Sequence, residues 1–186
     1  MRHRGFALFV LISSFLILPA ASSQEYASLR PVQAQPVAEA SSEGILVHLG
    51  PGNLRLPKGW QVTPGTIGAE MLSPSGLAAK LMVLEPRVFL STPPQLPSPS
   101  EAVMSAMTTL CAPVAPSKVD VIRSHSGQTI HFSSCAEKSQ DGSATFQLFY
   151  ELRQGQFVLL LLASGQGTVA SARRLLETAA KSAHLE

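Results

Sequence analysis

Four histidines, His48, His125, His131 and His184, lie beyond the first 23 residues, and they are the groups best suited to move protons or bind metal near neutral pH. A serine hydrolase needs a base beside its nucleophile and a carboxylate to orient that base. Ser124-His125-Ser126-Gly127 sets serine and histidine side by side, and Asp120 and Asp141 supply carboxylates of the required type. The same tetrapeptide has the composition of a hairpin turn, where adjacent polar side chains face water. No serine occupies a Gly-x-Ser-x-Gly elbow. For a metal, His125 and His131 are six positions apart and His48 is remote, with neither an HExxH helix nor an EF-hand loop. Gly165-Gln166-Gly167 resembles a fragment of a phosphate cradle, yet it lacks the lysine and the full glycine spacing. These residues assign no catalytic group, no cofactor site and no metal site.

Two further residue types carry information. Cys111 and Cys135 are the only cysteines and are separated by 23 residues, so they form neither a CxxC redox motif nor a close zinc-binding pair. An even pair in an oxidising compartment is expected to form one disulfide. Closing a loop of about 25 residues would stabilise the fold by roughly 3–4 kcal/mol on the chain-entropy account. Trp60 is the only tryptophan and follows Pro57-Lys58-Gly59. Exposed there, it could contact a partner; folded inward, it would pack over a sheet edge.

The elements that must position these groups are legible as periodic segments. Residues 45–49 and 54–56 read as short strands around Gly50-Pro51-Gly52-Asn53, with extended chain at Trp60 and Val62 before a break at Pro64-Gly65. Leu77–Leu84 is a nearly apolar strand interrupted by Lys80, and Pro86 stops it. A Pro-rich passage from Thr92 to Pro99 leads into a helix with Ser98 as cap, Pro99 in the first turn and Glu101 three residues after the cap. Val103, Ala106, Met107 and Leu110 give that helix one apolar face, and Pro113 ends it near Cys111. An antiparallel meander follows: 119–124, 129–135, 144–152 after the turn Gln140-Asp141-Gly142-Ser143, and 157–163. The last of these is nearly continuous apolar residues, as expected of a strand covered on both faces. A final helix runs from Thr168 to about Ala183, with Val169, Ala172, Leu175, Leu176 and Ala179 facing inward and Arg173, Arg174 and Lys181 facing water.

Two amphipathic helices against an antiparallel sheet predict a single α+β domain over residues 44–183. Residues 24–43 are rich in Ala, Ser, Gln, Pro and Glu without periodicity and read as a flexible leader. Ahead of them, Arg2-His3-Arg4, a 13-residue largely apolar core at 6–18, Pro19 and the small residues 20–23 form the three-part pattern of a secretory signal peptide over 1–23. The apolar core falls short of the roughly 20 residues that span a bilayer. Cleavage is expected after Ser22 or Ser23 and would leave no stable membrane anchor.

With 186 residues, 14% charged and 45% hydrophobic, the chain suits one ordinary domain and is too apolar for wholesale disorder. Fourteen Lys and Arg against twelve Asp and Glu become equal once Arg2 and Arg4 are removed with the signal. A neutral chain with few aromatics lacks the electrostatic footprint of a nucleic-acid binder.

The early strand pair, Leu56-Pro57-Lys58-Gly59-Trp60 in the place of a leucine-proline-x-glycine-tryptophan turn, the middle helix and the hairpin series feeding a C-terminal helix together resemble the Mog1/PsbP-like fold over residues 44–183. The resemblance implies an α/β/α sandwich around an antiparallel sheet. Members of this fold are mostly non-enzymatic accessory proteins, so it also implies a binding or assembly role. No acidic or calcium-binding loop is present to carry a photosynthetic function across.

The combined expectation is an exported, periplasmic or secreted, noncatalytic protein that binds another envelope or exported protein. It would do so through a sheet edge, a rim containing Trp60 or a helix-flanked groove. A small secreted hydrolase whose site converges only in three dimensions, and a structural envelope component, are the alternatives.

Overall fold

The computed structural model describes residues 26–87, 95–138 and 144–186. The expected signal peptide, the Thr92-Pro93-Pro94 part of the Pro-rich passage and the Gln140–Ser143 turn lie outside the described residues.

In chain order the elements are β1 (Leu29–Pro31), β2 (Val37–Ser41), β3 (Gly44–Leu49), β4 (Gly52–Leu56), β5 (Gln61–Pro64), β6 (Ala69–Leu72), β7 (Ala78–Pro86), α1 (Pro99–Cys111), β8 (Asp120–Arg123), β9 (Thr129–Lys138), β10 (Ala144–Gln154), β11 (Phe157–Gln166), α2 (Val169–Ser182) and β12 (His184–Leu185). An eight-stranded antiparallel sheet runs β5-β6-β7-β11-β10-β9-β8, with β1 added to the far end of β7. A separate four-stranded sheet has the order β12-β4-β3-β2. The α+β class and the sheet flanked by two helices are as the sequence predicts. The early strands, though, form their own small sheet rather than extending the main one.

Alternation along the central strands divides the interior into two cores. On β11, Leu159, Leu161 and Ala163 face one core, while Val158, Leu160 and Leu162 face the other. This two-sided burial explains the unbroken apolar run of that strand. The first core is closed by α2 and by Val47, Leu49, Leu54 and Leu56 of the small sheet. The second is closed by α1, through Ala102, Val103, Ala106 and Met107, together with Tyr26 and Leu29.

The start of α1 follows from three residues. The Ser98 side chain accepts from the Glu101 N–H, the Glu101 carboxylate accepts from the Ser98 N–H, and Pro99 needs no intrahelical donor. At its other end, Cys111 is joined to Cys135 of β9 with a Cα–Cα separation of 6.0 Å. The expected disulfide thus ties the helix to the sheet.

Of the segment expected to be a flexible leader, the described residues 26–43 are held against the rest of the fold. Within them β1 pairs with β7, β2 pairs with β3, and Tyr26 and Leu29 are fully buried. The ordering comes from nonlocal pairing and two isolated apolar anchors, neither of which produces a periodic pattern. Gly44 makes the β2–β3 hairpin possible: its φ is +145°, and a Cβ there would lie 2.1 Å from the Leu56 carbonyl oxygen.

Candidate functional site

A cleft of about 820 Å³ lies between the start of α2, the end of β11, the beginning of β10 and the β6–β7 turn. Its volume lies in the range of ligand-binding pockets. Leu72, Leu77, Phe146, Ala172 and Leu175 supply its apolar lining, and Thr168 and Ser171 stand at it at the start of α2. Among the described residues, none that lines it is charged.

Local sequence explains the shape. Gly165 sits directly opposite Phe146 across the β10–β11 pair, and a Cβ at Gly165 would approach the Phe146 ring to 3.0 Å. Gly167, with φ +119°, turns the chain from β11 into α2. Thr168 then caps the helix, accepting from the Ser171 N–H at 3.3 Å and donating to the Ser171 hydroxyl at 2.9 Å. The Gly165-Gln166-Gly167 run therefore shapes the cleft wall and the helix entry.

Leu175 corrects the predicted packing face of the last helix. It is 38% exposed at the cleft, whereas Ala172, Leu176 and Ala179 are buried. Hydroxyl groups beside an apolar wall can accept or donate hydrogen bonds to the backbone of a bound segment while the wall takes its side chains. Among the described residues, no histidine or carboxylate lines the cleft to act as a general base there.

Trp60 is only 4% exposed and packs in the core shared by the main sheet and α2. It is not the exposed rim needed for the proposed partner contact, because burying its large ring against the sheet outweighs leaving it in water.

The histidines do not converge into a triad. His125 is exposed in the β8–β9 turn, where the Ser124 hydroxyl lies 2.8 Å from Ser126 and accepts from the Gln128 N–H at 3.0 Å. The serine–histidine tetrapeptide is therefore turn chemistry. His48 Nδ1 lies 2.5 Å from Asn53 Oδ1, and His184 is opposite Asn53 on the other side of β4. His131 is partly buried on β9, and burial followed by the nearby Arg153 charge lowers its pKa below the ordinary value of 6.5. Among the described residues, no group of three or more His, Cys, Asp or Glu side chains is placed to hold a metal ion.

A buried ionic network was not anticipated. Glu151 has no exposed surface. Tyr26 donates its hydroxyl to the Glu151 carboxylate, Arg153 pairs with the same carboxylate, and Arg153 Nη1 donates to the Pro97 carbonyl at 2.7 Å. Burial raises the Glu151 pKa, while Arg153 and the Tyr26 hydroxyl oppose the shift. The network fastens the N-terminal segment and the approach to α1 onto β10. Strand alternation in the sequence puts Glu151 on the Phe149 face but does not reveal that Tyr26 covers it.

No helix among the described residues is long and apolar enough to cross a membrane. No protein-family model matches the chain, and no curated protein matches it. Among solved structures, it resembles a Bacteroides thetaiotaomicron VPI-5482 protein at 8% identity and TM-score 0.47, over 73% of this chain and 45% of that one. The chain therefore spans under half the length of that protein. It also resembles LpqN of Mycobacterium tuberculosis, described as involved in cell envelope biogenesis, at 12% identity and TM-score 0.42, covering 82% and 85% of the two chains. A third likeness is to the solution structure of cyanobacterial PsbP from Synechocystis sp. PCC 6803, at 13% identity and TM-score 0.37, covering 82% and 94%.

Proposed function

We propose that this chain is an exported, noncatalytic accessory protein of the bacterial cell envelope, whose α2 cleft receives an apolar segment of another exported protein. The reading rests on one observation: an open cleft of about 820 Å³, with no charge among its described lining residues, has a large apolar side chain, Leu175, standing exposed at it. A helix whose remaining apolar face is buried gains nothing within its own fold from that exposed leucine. Covering it with a partner removes apolar surface from water. The signal-peptide pattern at 1–23 and the Cys111–Cys135 disulfide fit delivery to an oxidising compartment.

The test is site-specific crosslinking in the native host, with the protein secreted through its own leader. A photoreactive amino acid replaces Leu175 in one version and the exposed Val121, away from the cleft, in another. The expected result is one extracytoplasmic protein captured from position 175 alone, with the crosslinked peptide apolar and competing as a free peptide. Identical products from both positions, or no product from position 175, would overturn the reading.

A further inference from the structure

The small sheet ends at β2, in which all five residues are exposed. Its pairing with β3 runs from Val37 opposite His48 to Ser41 opposite Gly44, closed by the two residues Ser42 and Glu43. In a hairpin this tight, the closing pair exchanges both backbone hydrogen bonds, and bonded pairs then alternate along the strands. Val37, Glu39 and Ser41 therefore bond towards β3. Ala38 and Ala40 direct their N–H and C=O groups away from it, leaving two donors and two acceptors along an edge that no described strand covers.

The other outer strands are blunted in recognised ways. β5 has four residues and ends in Pro64, β8 has four residues with Asp120 and Arg123 at its ends, and β12 has only two. β2 contains no proline and no basic residue, and its sole charge is Glu39. Among the described residues, Glu39 makes no ion pair, whereas the nearby Glu43 pairs with Arg55. Ala38 shares the core-facing side with the buried Val47, yet it and Ala40 are exposed, so an added strand would find both faces of β2 open.

We propose that β2 is a strand-addition edge that binds an extended segment of a partner protein carrying a basic side chain opposite Glu39. Backbone pairing to Ala38 and Ala40 would supply binding, and Glu39 would select by charge. A second copy of the chain is the wrong occupant. Full two-fold overlap of β2 with itself sets Glu39 against Glu39, at a non-hydrogen-bonded position where facing side chains are closest. This surface lies on a different sheet from the walls of the α2 cleft and is independent of it.

The test titrates the disulfide-intact protein, secreted through its own leader, to millimolar concentration into a fluorescein-Gly-Thr-Val-Lys-Val-Thr-amide peptide labelled at its N-terminal amine, so that the lysine keeps its charge. A matched peptide has glutamate in place of lysine. Saturable binding of the lysine peptide, read by anisotropy, should slow amide exchange at Ala38 and Ala40. Ala38→Pro removes one outward donor while leaving the bonds to β3, and should weaken binding about fivefold. Glu39→Lys should reverse the preference between the two peptides, and this readout decides the matter even if the proline variant folds poorly. No saturable binding, an unchanged preference in Glu39→Lys, or full affinity in a folded Ala38→Pro variant would overturn the proposal. So would a concentration-dependent dimer that Ala38→Pro dissolves, since it would assign the edge to a second copy.

Discussion

Replacing Tyr26 by Phe removes one hydroxyl from a site where its partner, Glu151, has no access to water. The ring remains to fill its space beside Leu29 and Phe149, so the loss is chiefly that of a hydrogen bond to a buried carboxylate. Such a bond to a charged group contributes about 1.5–3 kcal/mol, and one to a neutral group about 1 kcal/mol. The pH dependence has a definite sign. Burial raises the folded-state pKa of Glu151 above its ordinary value of 4.5. Its contribution is therefore full below the unfolded value and is lost as pH rises through the folded value. Removing the Tyr26 hydroxyl takes away one of the groups holding that pKa down, so it rises further. The variant should then lose more stability over the same rise in pH. Urea unfolding of the oxidised protein at pH 4 and pH 8 measures both effects. With a denaturant slope of about 2 kcal/mol per molar, the pH 8 midpoint should fall by about 1 M, and the pH 4 midpoint by about half as much. A loss below about 0.5 kcal/mol at pH 8, or equal losses at the two pH values, would refute the role given to this network.

Two other outcomes are expected. Reducing the Cys111–Cys135 bond, or replacing both cysteines by alanine, should cost roughly 3–4 kcal/mol for the loop of about 25 residues it closes. Comparing urea midpoints with and without dithiothreitol checks this, and coincident curves would count against it. His131 should titrate below 6.5 when followed by NMR of its ring protons, because burial and the Arg153 charge disfavour the imidazolium. Its contribution to stability should consequently be lost as pH falls through that depressed value.

Sequence alone determined the features set by neighbours along the chain. Ser98, Pro99 and Glu101 specify a helix start within four residues, since a capping box is a local exchange of hydrogen bonds. The meander was legible from alternation and turn residues, and the two-sided burial of β11 from its continuous apolar run. The cysteines could be paired because there were only two. Tertiary structure decided what depends on distant partners. Tyr26 and Glu151 are 125 positions apart, and nothing in either local segment marks them as hydrogen-bonded. β2 carries no buried residue and hence no hydrophobic alternation, so only its pairing with β3 makes it a strand. Trp60 and Leu175 show the same division most directly. By residue type either could face a core or a partner, and the packing of α2 and the small sheet against the main sheet buried the first and left the second at the cleft. Burial is a property of the assembled layers, which is why periodicity predicts a face but not how far the neighbouring element extends to cover it.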